Sequence, residues 1–107
     1  MKISKPKIYI PNAGMHNFSA AEVFGTLVPL SKGKVNILSV GGLYRQFVQL
    51  LSSKPDDYIL ICGPTICNIV ACVMFTQVHK KLNLLIYHIG RDGIGRYKRR
   101  NLILEGT

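Results

Sequence analysis

Tyr58-Ile-Leu-Ile-Cys62, then Gly63-Pro64, then the uncharged run Thr65-Ile-Cys-Asn-Ile-Val-Ala-Cys-Val-Met-Phe-Thr-Gln-Val78, is the stretch that decides the fold. An unbroken apolar segment ahead of a Gly-Pro break is the pattern of a strand covered on both faces, as in a parallel sheet. Pro64 then stands where a helix start needs no amide partner, so a helix is expected over about Thr65 to Val78. Thr65, Asn68, Cys72, Thr76 and His79 share one face of that helix. Ile66, Ile69, Val70, Val73, Met74 and Phe75 are left for the core, which predicts a mostly buried helix. Leu82-Asn-Leu-Leu-Ile-Tyr-His88 supplies the next strand, and the crossover rule makes this strand-helix-strand unit parallel and right-handed.

Tyr58 to Val78 carries no charge and approaches the length of a bilayer span. Gly63-Pro64 cuts the run, and Thr65, Asn68, Thr76 and Gln77 place polar groups in its second half. A strand, a tight turn and a buried helix account for the same residues, so no membrane partner is expected.

Working outward toward the N-terminus, Lys7 to Ile10 reads as a first strand closed by Pro11. Ser19-Ala-Ala-Glu22 matches a capping box, with room for only a short helix before Gly25. Thr26 to Leu30 reads as a second strand, and Ser31 to Lys34 has turn chemistry. Leu43, Phe47, Leu50 and Leu51 fall at i, i+4, i+7 and i+8, predicting a helix from about Gly42 to Ser53 that Pro55 cannot continue. Toward the C-terminus, Ile89 to Gly95 is a turn and Arg96 to Leu104 returns as an antiparallel edge strand. Tyr97, Arg99, Asn101 and Ile103 take one face of it, and Lys98, Arg100, Leu102 and Leu104 the other.

The expected fold is α/β: a small two- or three-layer Rossmann-like open sheet of four to five strands, mostly parallel, with an antiparallel C-terminal edge strand. A chain of 107 residues is the size of a single domain, here residues 1–107, and 48% apolar composition is enough to core it.

Fourteen Lys and Arg against five Asp and Glu leave a net charge of +9, a field that favours polyanionic partners: nucleic acid, an anionic membrane or an acidic protein. Solubility alone is the plainer use of such charge. Cys62, Cys67 and Cys72 lack the paired spacing of a zinc site and read as buried free thiols, which points to a reducing compartment. Met1 to Lys7 carries charge and no apolar segment of signal length appears before Pro11, so the expected location is cytoplasmic.

Ligands of open α/β sheets bind at the carboxyl ends of the parallel strands, where three loops should meet. The loops carry Asn12, Gly14 and His16; Gly63, Thr65 and Asn68; and His88 and Arg91. With the free amides of the helix start, these eight residues form a candidate anion or nucleotide site, and a plain turn with a helix start is the alternative. Gly63-Pro64-Thr65 is not a P-loop. Gly90, Gly93 and Gly95 precede a strand rather than a helix, so they do not form a dinucleotide fingerprint. Catalytic residues are not identified: His16 and His88 lack an orienting carboxylate, and the few acids offer no cluster. Cys67, in the first turn of the helix, is the better placed thiol for a nucleophile. No metal site or cofactor is expected. Arg96, Tyr97, Lys98, Arg99 and Arg100 are the candidate nucleic-acid contacts, with charge for phosphates and Tyr97 for an unpaired base. A charge-guarded edge strand is the competing reading.

Ile10-Pro-Asn-Ala-Gly14, His16-Asn-Phe-Ser-Ala-Ala-Glu22, Asp56-Asp-Tyr-Ile-Leu60 and Leu82 to His88 resemble stretches of small proteins of tailed-bacteriophage genomes. The resemblance spans most of the chain and implies expression in a bacterial host cytoplasm, but no activity or cofactor. The leading expectation is a non-catalytic basic accessory protein that binds nucleic acid or nucleotide phosphate. The alternatives are a small nucleotide-processing enzyme or sensor at the three-loop site, and an interaction module for an acidic host protein. Oligomeric state is left open.

Overall fold

The computed structural model describes residues 5–104. The leader-free reading of Met1 to Ser4 and the acidic Glu105 lie outside the described residues. The elements in chain order are β1 (Lys7–Ile10), a 3-10 turn (Ser19–Val23), β2 (Thr26–Pro29), α1 (Val40–Gln46), a second 3-10 turn (Val48–Ser52), β3 (Tyr58–Leu60), α2 (Thr65–His79), β4 (Lys81–Ile89) and β5 (Gly95–Ile103). They build one five-stranded sheet in the order β2-β1-β3-β4-β5. The first four strands are parallel and β5 is antiparallel on the edge, which is the α/β open sheet expected from the sequence.

The winding follows from handedness. The chain steps from β1 outward to β2, then back across to β3 and on to β4. Connections of one hand that run in opposite directions must cover opposite faces. The Ser19–Val23 turn accordingly lies on one face, and α1 and α2 on the other. Strand alternation feeds both layers: Tyr9 and Ile59 point to the helices among Leu43, Phe47, Leu50, Val70, Met74 and Phe75. Ile8, Ile10, Tyr58, Leu60 and Leu85 point to the thin layer, among Ala13, Phe18 and Ala21. Burying an aliphatic or Phe side chain of this kind contributes about 1.5–3 kcal/mol.

Several local expectations are corrected. Ser19 makes no side-chain cap; its amide donates to Asn17 Oδ1 at 2.8 Å, and the segment winds as a 3-10 turn because Gly25 follows too soon for an α-helix. The helix expected over Gly42 to Ser53 breaks at Phe47 (φ −94°, ψ 13°). The tighter 3-10 winding keeps Phe47 and Leu50 buried and turns Leu51 outward, and the Ser53 amide and hydroxyl both donate to the Leu50 carbonyl. Finally, α2 buries a narrower stripe than expected: Cys67, Val70, Ala71, Met74 and Phe75, with Ile69 51% and Val73 59% exposed. Small Cys67 and Ala71 let the helix sit close on the sheet, and among the described residues no further layer covers its back. Lys80 ends it in the left-handed region (φ 59°), its amide donating to the Thr76 carbonyl at 2.8 Å.

β3 is three residues long, shorter than the Tyr58 to Cys62 expected. The Ile61 amide still donates to the Leu85 carbonyl at 3.1 Å, but the Cys62 amide leaves the ladder for Asn68 Oδ1. β4 therefore pairs with β3 only through Leu84 and Leu85, while its ladder with β5 runs from Lys81 opposite Ile103 to Ile89 opposite Gly95. Past Leu85 the hairpin is a two-stranded ribbon that projects by about 14 Å at ~3.4 Å per residue. Its root is anchored by buried Asn83, whose Nδ2 donates to the carbonyls of Pro55 (2.7 Å) and Asp57 (2.9 Å) and whose Oδ1 accepts from Asn101 Nδ2 (2.6 Å). Among the described residues no helix is long and apolar enough to cross a membrane.

Candidate binding site at the carboxyl edge of the sheet

β1 and β3 are neighbours whose following loops leave toward opposite faces, and this parting opens a crevice at their carboxyl ends. The two loops are locked together below it. Gly63 (φ +76°) lies against β1's loop so closely that a Cβ there would stand 3.0 Å from Asn12 Cβ and 3.1 Å from its carbonyl oxygen, so both conformation and space require glycine. The Cys62 thiol donates to the Asn12 carbonyl at 3.3 Å. Above this lock, on the thin-layer side, is a cleft of about 450 Å³ lined by His16, Asn17, Phe18, Cys62, Gly63, Tyr87 and Tyr97, among others. That size suits a small organic ligand.

Of the eight residues expected at an anion site, His16 and Gly63 line the cleft. Asn12 is buried and its amide is committed to Ser31 Oγ (3.1 Å) and the Gly33 carbonyl (2.8 Å), holding the loop after β2. Asn68 is likewise engaged within its own loop: Oδ1 accepts the Cys62 amide at 3.1 Å and Nδ2 donates to the Pro64 carbonyl at 3.2 Å. Gly14 (φ +54°) is exposed in the loop after β1, and Thr65 is exposed at the start of α2. His88 alternates with Tyr87, so it faces the α2 side of the ribbon beside its partner Arg96, and Arg91 is exposed at the hairpin tip. The third loop therefore does not meet the other two, because β4 continues past them as a ribbon.

What takes its place is aromatic. Tyr87 and Tyr97 are directly opposite across the ladder, edge to face at 5.2 Å and 64°. The Phe18 ring meets His16 at 6.1 Å and 65°. Neither Tyr87 nor Phe18 is among the residues that the sequence marks for the site. A signal for Tyr87 does exist in the period-two alternation Asn83, Leu85, Tyr87, which puts it on the core-facing side of β4 beyond the end of the core.

The five ribbon residues divide by the same alternation. Tyr97 and Arg99 face the cleft side with Lys81, while Arg96, Lys98 and Arg100 face the α2 side. Arg96 is paired with Asp92 at 2.9 Å, and that hydrogen bond, with one from the Ile94 amide, holds the Asp92 carboxyl below its usual range. Burial pushes the Tyr97 phenol and the Cys62, Cys67 and Cys72 thiols up, so the cysteines stay protonated, and Cys67 is fully buried. Among the described residues no group of three or more His, Cys, Asp or Glu is arranged to hold a metal ion.

A second hollow, of about 300 Å³ at the amino ends of the strands, is lined by Lys5, Lys7, Tyr9, Lys54 and Asp57. Its buried carboxylate, Asp57, is engaged by the fold. Asp57 accepts the amides of Lys7 and Lys54, each at 2.8 Å, and burial together with Asp57 pushes the Tyr9 phenol up to about 12.

Comparison with protein-family models, with curated proteins and with solved structures finds no match to this chain. Its own architecture defines its class: a doubly wound α/β protein with an aromatic cleft at the switch point and a charged ribbon on one edge.

Proposed function

We propose that this chain binds nucleic acid without transforming it, along the β4–β5 ribbon. The observation that carries the reading is the composition of that ribbon. Residues 81–104 hold six Lys and Arg against one carboxylate, and that carboxylate, Asp92, is already paired to Arg96. β5 is an edge strand, so Arg99 from one face and Lys98 and Arg100 from the other all flank its free edge. A polyanion lying along that edge meets cations on both sides, with tyrosines beside them to stack on bases. The same charges discourage edge pairing with a second chain, and the two roles are compatible.

An enzymatic role has less support. The thiols are held protonated, and His16 has no carboxylate partner among the described residues. If the likeness to phage proteins reflects descent, binding takes place in a bacterial host cytoplasm.

The test is an anisotropy titration of labelled single-stranded and duplex DNA over a salt series. Affinity falls steeply with salt and shows little sequence preference. The triple variant Lys98→Glu, Arg99→Glu, Arg100→Glu, which spares the Arg96 pair, flattens the log–log slope by roughly 0.7–0.9 for each phosphate that is no longer neutralised. A parent protein that fails to bind at low salt, or a triple variant that binds as tightly as the parent, refutes the reading and favours an acidic protein as partner.

A further inference from the structure

We infer that the cleft between the loops after β1 and β3 takes an unpaired nucleobase, which makes the preferred ligand single-stranded; the inference rests on the nucleic-acid reading above. The cleft is aromatic where a base needs a flat neighbour. Phe18 is buried beneath it, Tyr97 is half-buried beside it, and Tyr87 stands 54% exposed. The two tyrosine rings cross at a steep angle rather than stacking on each other, so an incoming ring is not excluded by a closed stack.

The exposed Tyr87 ring is placed by its backbone neighbour. Gly95 sits diagonally across the ladder, and a methyl group at that position would overlap the Tyr87 hydroxyl and ring. Glycine in a strand interior weakens the strand, and one recognised use is to let another group approach closely. Here that group is the tyrosine ring, laid over Gly95 next to Tyr97.

Polar groups at the rim suit the edge of a base. Asn17 Oδ1 is occupied by the Ser19 amide, and the Asn17 Nδ2 and the His16 ring make no hydrogen bond to protein among the described residues. Charge lies on the same face: Arg99 is two residues from Tyr97, about 7 Å along the strand, and lines a neighbouring hollow with Lys81 and Asp56, within reach of the next phosphate along a bound strand. An aromatic slot with a cation on the same face matches a nucleotide within a strand, whereas duplex DNA keeps its bases stacked away from such a slot.

The test uses a single-stranded DNA 12-mer with one central 2-aminopurine, its fully paired duplex, and adenosine monophosphate. The expected result is quenching of 2-aminopurine in the single strand and tighter binding of single strand than duplex. Tyr87→Ala and Gly95→Ala remove the quenching and weaken single-strand binding roughly 5- to 100-fold, leaving duplex binding and the salt slope unchanged. Both variants act at a solvent-facing ring, so unchanged circular dichroism accompanies the loss. Unquenched 2-aminopurine, or duplex bound as tightly as single strand by the parent, overturns the inference while leaving charge-driven binding intact. Monophosphate binding that is lost in Tyr87→Ala, in a protein that binds no oligonucleotide, upholds the cleft and overturns the nucleic-acid reading instead.

Discussion

Asn83→Asp exchanges one atom type at the root of the ribbon, and its consequence follows from three hydrogen bonds. The Asn83 side chain is 5% exposed; its amide nitrogen donates at 2.7 Å to Pro55 O and 2.9 Å to Asp57 O, and its oxygen accepts from Asn101 at 2.6 Å. A neutral carboxylic acid there keeps one donor and loses one bond, costing about 1 kcal/mol. A carboxylate has no donor, sets a charge against two carbonyl oxygens, and is poorly hydrated, so the folded state holds the introduced carboxyl protonated. Its folded pKa is raised above the unfolded value of ~3.9. Below that value both states are neutral and only the missing bond is felt. As pH rises through ~4 the unfolded chain ionises and the folded one does not, so stability falls until the folded group itself ionises. An increase of about two to three pKa units, within the range seen on burial, corresponds to about 3–4 kcal/mol at about 1.36 kcal/mol per unit. The variant is therefore about 1 kcal/mol less stable than the parent near pH 3.5 and about 4–5 kcal/mol less stable at pH 7, a large part of the stability of a domain this size. Urea titrations of both proteins by far-ultraviolet circular dichroism at about pH 3.5, 5, 6, 7 and 8 read the difference directly, and titrations common to both cancel. A stability gap that does not change with pH, or that widens toward acid, refutes the reasoning.

Two further outcomes follow from single residues. Tyr9 has its phenol pushed up to about 12, first by burial and then by Asp57, so the folded state resists its ionisation while the unfolded chain ionises near 10. The contribution is full below pH 10 and is lost as pH rises through about 12; Tyr9→Phe shows a shallower decline over that window in alkaline denaturation, and an equally steep one counts against the assignment. Lys80 is the one non-glycine residue with positive φ among the described residues, at the C-cap of α2. Lys80→Gly relieves that conformation and raises stability by about 0.5–1 kcal/mol after the added freedom of the unfolded chain is subtracted, measured as an increased urea midpoint.

The candidate site is only partly legible in the sequence, for reasons that differ residue by residue. Asn12 and Asn68 sit at the right loops, but polar loop residues serve either a ligand or their own backbone, and only the closing contacts to Ser31, Gly33, Cys62 and Pro64 show that these two serve the backbone. Sequence places His88 at the carboxyl edge as the last residue of its strand. β4 instead runs on to Ile89 because β5 pairs with it, so His88 alternates away from Tyr87 and the cleft. Tyr97 stands out by its charged neighbours, but its partner Tyr87 can be matched to it only through the register of the hairpin.

Local chemistry alone determined the class and most of the elements: the apolar run Tyr58 to Cys62, the Gly-Pro break and the stop at Pro55 are short-range signals, and a chain with these periods has few folds open to it. The antiparallel edge strand was legible for the same reason, since its turn and its alternation both lie within one hairpin. Tertiary structure decided which apolar stripe of α2 faces the sheet, because Ile69 and Val73 are as apolar as Val70 and Met74 and only the packing of Cys67 and Ala71 against the strands selects between them. It also decided the strand order β2-β1-β3-β4-β5, and with it the switch point between β1 and β3. That order depends on contacts between segments distant along the chain, which no local pattern encodes, and the cleft that follows from it exists only where those segments meet.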